Sequence, residues 1–283
     1  ALQIDPEYAT PWAGISRGWV ARQQMGLSPP NEAFREAKEA VAKGLALDEN
    51  DYAARRALAS ILTWGDWDWP AAERAWSELV GLNPDDPDLL NSYSHFLMLM
   101  GRPEEAMEAI DRALHLDPFN LKIRSFYVVD LLFVQRYDEA IAEAREVMRL
   151  QPNQPVAMSS LNQALYLTGR YEEALAVDRE MFANRPEFTA ALEAGYEESG
   201  YAGAQRRLAD LWAQRYGEPG AIDAFNISLR YLYAGDHDLA VQWLETAYPY
   251  GGGALPYIVA PLHEPLRSDP RFQTLLRKMN LIE

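Results

Sequence analysis

Four histidines, His95, His115, His237 and His263, are the side chains best suited to bind a metal or relay a proton, and their spacing serves neither task. None lies in an H-E-x-x-H pattern, and no two stand four apart on one helical face, as a zinc pair requires. The chain has no cysteine among its 283 residues. That excludes a disulfide scaffold, a thiolate zinc site and a cysteine nucleophile. Gly251-Gly252-Gly253 runs into Ala254-Leu255-Pro256, with neither the Lys-Ser/Thr of a phosphate loop nor a helix start to hold an anion. It reads as a connector. There is no G-x-S-x-G elbow to present a serine. The acidic pairs Glu104-Glu105, Glu172-Glu173 and Glu197-Glu198 could act as acid and base, but helix starts and solvated faces explain them without chemistry. Trp64, Trp67, Trp69 and Trp76 read as packing at a turn one residue longer than usual, with ligand binding as the alternative. The expectation is a chain with no catalytic site, no metal and no cofactor.

The elements that hold these residues follow a beat. LNP ends at Pro84, LDP at Pro118, LQP at Pro152 and NRP at Pro186, each proline 34 residues after the one before. Between them run GRPEEA from Gly101, QRYDEA from Gln135 and GRYEEA from Gly169, again 34 apart. Each period supports two helices. Leu90, Tyr93, Phe96, Leu97 and Met100 form one apolar stripe at spacings of three and four. Gly101 suits the left-handed residue that follows a helix end. Ala106, Ile110, Ala113 and Leu114 then give a second helix its own face, and Pro118 cannot continue it. The small Ala106, Ala140 and Ala174 fit a close approach of antiparallel helices, about 8 Å between axes.

This pattern resembles the tetratricopeptide repeat, a 34-residue helix-turn-helix unit. It implies an all-α, right-handed α-solenoid of about seven repeats with a C-terminal capping helix. The solenoid is expected over 1–254, with repeats near 9–51, 52–84, 85–118, 119–152, 153–186, 187–218 (degenerate) and 219–250, and the cap over 255–283. The first unit carries an enlarged turn at Met25–Pro30. DPEYATPWAGIS, the WGDWDWP run from Trp64, GYAGAQRRLADL and the ending PLHEPLRSDPRFQTLLRKMNL are similar to the C-terminal tetratricopeptide region of bacterial multidomain signalling proteins. In that group the region follows a class III adenylate cyclase, a protein kinase, or a winged-helix regulator with a TolB-like segment. Gln135 in place of the turn glycine, Glu49 in place of proline and Asn280 in place of glycine are local departures. The chain has no initiating Met, and its first residues, ALQID, read as the tail of a helix. The chain is therefore expected to be the C-terminal part of a longer protein.

Stacked hairpins curve, and the first helix of each lines the concave side. Positions two, five, nine and twelve of those helices place Arg56, Asp88, Asn91, His95, Met98, Lys122, Ser125, Ser159, Gln163 and Tyr166 in one groove. Hydrogen-bonding and apolar side chains so mixed suit an extended peptide or a partner helix. Lys122 is the one base in the three central repeats at these positions, so the carboxylate clamp of chaperone-binding relatives is not expected. With 26 basic and 42 acidic residues the net charge is −16, which disfavours nucleic acid and anionic membrane surfaces. The expected partner is a protein or peptide, the expected role sensory or regulatory, and the expected location the cytoplasm, or the periplasm if a membrane span precedes Ala1. Homodimerisation and small-molecule binding at the tryptophans are the alternatives.

Overall fold

Asp51, Asp86, Asn120 and Gln154 set the phase of the structure. Each caps a helix by accepting the amide of the residue three further on, Ala54, Leu89, Ile123 and Ala157. A side-chain acceptor there satisfies one of the unpaired amides of a helix start. The computed structural model describes residue 5 and residues 7–24, 27–218 and 222–282. Among these it has fourteen α-helices, one of them broken by a kink, and no strand. The enlarged turn at Met25–Pro30 lies partly outside the described residues, as do 219–221 and the first four residues.

The helices pair in sequence order as hairpins: α1 (Thr10–Gln24) with α2 (Pro30–Leu47), α3 (Tyr52–Ile61) with α4 (Trp69–Leu82), and α5 (Pro87–Leu99) with α6 (Pro103–Leu116). Then come α7 (Leu121–Phe133) with α8 (Tyr137–Leu150), and α9 (Pro155–Leu167) with α10 (Tyr171–Met181). The first helices of neighbouring hairpins, α5 with α7 and α7 with α9, lie side by side. Gly101, Gln135 and Gly169 end α5, α7 and α9 in the left-handed region, at φ 67°, 59° and 74°. The next amide bonds back to the carbonyl five residues earlier, as Arg136 N to Leu131 O at 2.9 Å. Gln135 thus does the work of a glycine. Ala106, Ala140 and Ala174 have no exposed surface, as expected of contact points between the two helices of a hairpin.

After Pro186 the hairpin shortens to a fold in one helix. α11 (Pro186–Gln214) breaks at Ser199 and Gly200, and the two arms close on each other at Gly195 and Gly203. A Cβ on Gly195 would stand 2.2 Å from the Gly203 carbonyl oxygen, so the approach depends on glycine. α12 (Ala224–Tyr233) and α13 (His237–Ala247) form the last hairpin, followed by short 3-10 turns over Tyr248–Tyr250, Leu255–Val259 and Pro261–Leu266 and then α14 (Pro270–Lys278). The residue that lengthens the first tryptophan turn is absorbed by a π-helical turn, Leu62–Asp66, which ends on Trp67 at φ 56°.

Candidate functional site

The first helices α3, α5, α7 and α9 carry the positions expected to line a groove. Arg56, on α3, is partly exposed and its guanidinium lies 3.6 Å from the Asp86 carboxylate. Asp88 of α5 and Lys122 of α7 pair across neighbouring repeats at 2.8 Å and remain open to solvent. Ser159 is exposed and Gln163 half-buried on α9. These five remain at the surface.

Four of the other five do not, and Tyr166 is half-buried. Asn91, His95, Met98 and Ser125 are buried. Ser125 turns its hydroxyl onto the Leu121 carbonyl at 2.6 Å. Met98 joins the apolar cluster around Trp76 and Phe96. Tyr166 packs its ring 4.7 Å from Tyr233, and its hydroxyl donates to the Leu232 carbonyl at 3.4 Å, so it faces α12. His95 meets the C-terminal segment itself: its Nδ1 lies 3.0 Å from the Tyr257 hydroxyl.

That segment does more than cover the last hairpin. Leu255, Ile258, Leu262 and Leu266 sink into the large cluster that runs from α7 to α14. Tyr257 turns the other way, against the cluster of α3 to α6, and Val259 touches both clusters. Three further contacts tie the two ends of the molecule together. The Trp69 indole donates to the Met279 carbonyl at 2.7 Å, Trp67 packs 5.7 Å from Tyr248, and the turn at Gly253 lies against Trp64. The tryptophans are therefore mainly packing residues. Trp76 has no exposed surface, lies edge-on to Trp64 and donates to Thr63 Oγ1 at 2.8 Å. Trp67 also lines a shallow cleft of about 600 Å³ with Phe34, Lys38, Asp66, Tyr248 and Tyr250.

Behind His95 lies a buried polar chain. His95 Nε2 stands 3.7 Å from Asp130 Oδ1, too far for a hydrogen bond, and Ser94 donates to Asp130 Oδ2 at 2.9 Å. Burial holds His95 neutral, its pKa pushed down to about 3, and raises the Asp130 carboxyl well above the ordinary value. Asn91 Oδ1, His95 Nε2 and Asp130 Oδ1 have no hydrogen-bond partner. A second buried network, Asp178–Arg230–Gln205, joins α10, α11 and α12, with Arg230 at 2.6 Å from Asp178 and 2.8 Å from Gln205. Phe182, Trp212 and Tyr233 surround its guanidinium. Of the acidic pairs, Glu105 is held by Arg102, and Glu173 by Arg170 and Arg145. Those geometries are ion pairs at helix starts.

Sequence reasoning passed over Asp130, Ser94 and Tyr257. Asp130 has a signal: it interrupts the apolar run Val128-Val129-Leu131-Leu132, where a carboxylate has to find buried partners. Tyr257 has none, because its contact lies 162 residues away.

A tetratricopeptide-repeat family model matches residues 67–120 and 128–187. The Transcriptional regulator HilA of Salmonella typhimurium is 26% identical over 117 residues, 41% of this chain and 21% of that protein. The chain thus spans about a fifth of the length of the curated relatives it matches. Among solved structures, a tetratricopeptide repeat protein from Parabacteroides merdae aligns over 95% of this chain and 98% of its own, at 12% identity and TM-score 0.55. PilW, a type IV pilus biogenesis factor, aligns over 73% and 96%, at 20% identity and TM-score 0.53. These likenesses carry the helical-hairpin fold. Among the described residues, no helix is long and apolar enough to cross a membrane.

Proposed function

This chain is a tetratricopeptide-repeat protein, and on that premise we propose that it is the regulatory interaction module of a bacterial signalling protein, catalysing nothing itself. In this reading its inner face takes an extended peptide or a helix from a protein partner. One observation carries it. Asp88, Lys122, Ser159 and Gln163 present polar groups towards solvent on three consecutive first helices, one repeat apart. Such a row matches the repeat of an extended chain, where backbone groups and alternate side chains both need partners. The similarity to a protein named as a transcriptional regulator supports the regulatory context. The net charge of −16 supports a protein partner over nucleic acid.

A displayed peptide library panned on the chain tests the reading. Recovered peptides should bind Lys122→Glu, Ser159→Arg and Gln163→Ala variants at least about tenfold more weakly than the parent chain, a loss of about 1.4 kcal/mol. Unchanged affinity in all three would refute the inner face as the site.

A further inference from the structure

We propose that the inner face of α5 and α7 holds a tyrosine socket whose resident ligand is the chain's own Tyr257, and that a partner segment presenting a tyrosine between prolines takes its place. The inference rests on the reading above and specifies which chemistry that face selects. The socket is made of residues from two neighbouring first helices, α5 and α7. His95 meets the Tyr257 hydroxyl at 3.0 Å, and the Phe133 ring stands edge-on at 6.1 Å. Phe126 backs His95 at 4.8 Å, so the imidazole is fixed in place. Phenylalanine would fill the apolar part of this socket and leave the His95 Nδ1 unpaired; tyrosine satisfies both.

The resident occupant is an imperfect one. Its residues split between two neighbours: Leu255, Ile258 and Leu262 belong to the cluster that runs from α7 to α14, Tyr257 packs against the cluster of α3 to α6, and Val259 touches both. Three buried polar atoms in and beside the socket, on Asn91, His95 and Asp130, stay unpaired while it is in place. Unpaired buried groups disfavour the state that contains them. The segment enters from Gly251 and Gly252, at φ 70° and 128°, conformations that leave the chain path to glycine. A ligand offering the same ring and a donor to Asn91 binds the open state, and by that difference in affinity shifts the population towards it.

The absence of cysteine permits a clean test. A Cβ on Gly253 would lie 3.7 Å from the Trp64 Cβ, within disulfide range, so Trp64→Cys with Gly253→Cys locks the segment on oxidation. The probe is a synthetic peptide of residues 253–262, GALPYIVAPL, titrated against the full chain. Tyr257→Ala should bind it at least about tenfold more tightly than the parent, because no resident ring has to leave. The oxidised lock should not bind it, and reduction should restore binding. A peptide with Ala for the tyrosine should bind none of them. Should Tyr257→Ala not fold, hydrogen exchange of the parent chain decides: saturating peptide should deprotect the Tyr257 and Ala260 amides. Equal binding by locked and reduced chains, no binding by folded Tyr257→Ala, no deprotection in the parent, or dimers formed by segment exchange would each overturn the socket. A socket that fails while the library peptides still depend on Lys122 and Gln163 leaves the wider reading standing. Loss of that dependence refutes the wider reading itself.

Discussion

Tyr257 and His95, 162 residues apart in the chain, share a hydrogen bond of 3.0 Å that joins the end of the solenoid to its third hairpin. The bond turns an open helical row into a closed one. Its closing contacts, Tyr257 on His95, Trp69 on Met279 and Trp67 on Tyr248, connect parts that touch only through the long way round the chain. A repeat array ordinarily has contacts between neighbours alone. Here the first and last thirds stabilise each other, so unfolding should be more cooperative than that of an open array.

Tyr257→Phe keeps the ring and removes its hydroxyl, leaving the buried His95 Nδ1 unpaired. The expected loss is about 1–3 kcal/mol of stability. Urea unfolding measures it. A loss of a few tenths would mean that the contact is open to water.

Gln135 stands at φ 59° where its counterparts Gly101 and Gly169 stand at 67° and 74°. A side chain there is strained, and glycine relieves the strain at some cost in unfolded-state entropy. Gln135→Gly should therefore raise stability by about 0.5–1 kcal/mol, read as an upward shift in Tm. A fall would mean that the Gln135 side chain makes stabilising contacts of its own.

Arg230 is buried with Asp178 and Gln205 at hydrogen-bond distance. Removing one charge leaves the other unpaired in the interior, so Arg230→Met should cost about 3–5 kcal/mol. Asp178→Leu with Arg230→Met should cost much less than the two single changes added, because no orphaned charge remains. Strict additivity in a double-mutant cycle would contradict this account of the network.

Much of this architecture was legible in the residues. The 34-residue beat marks the hairpins, the small alanines mark their contact points, and the Gly-Arg and Gln-Arg turns mark the helix ends, even where Gln135 replaces glycine. The exposure of the positions expected to line a groove was half legible. Asp88, Lys122, Ser159 and Gln163 face solvent as the register expects, but burial of Asn91, His95, Met98 and Ser125 and the inward turn of Tyr166 were not readable. Periodicity describes contacts between neighbours, whereas the cover over α5 comes from Tyr257, set by the path of the whole superhelix. Asp130 could have been found as a carboxylate amid valines and leucines.

Acid should loosen the molecule through its buried histidines. His95 and His263 are both held neutral by burial, their pKa values pushed down to about 3. In the unfolded chain each takes a proton near pH 6.5, so stability falls as pH drops from about 6.5 towards 3, by about 1.4 kcal/mol per unit for each. Asp130 opposes this: its carboxyl is raised, so the folded state gains protons between that raised value and the ordinary 3.8. Asp130→Asn should therefore lose stability more steeply on acidification than the parent. An identical slope in urea midpoints from pH 7 to 4 would contradict the assignment.

The most direct test of a covered inner face is the titration of the His95 imidazole by NMR in the full chain. Covered by Tyr257 and buried against Phe126, it should stay neutral down to at least pH 5, and Tyr257→Ala should move its midpoint upward. A midpoint near 6.5 in the parent chain, the ordinary value of a solvated histidine, would show the face open to water and contradict the account.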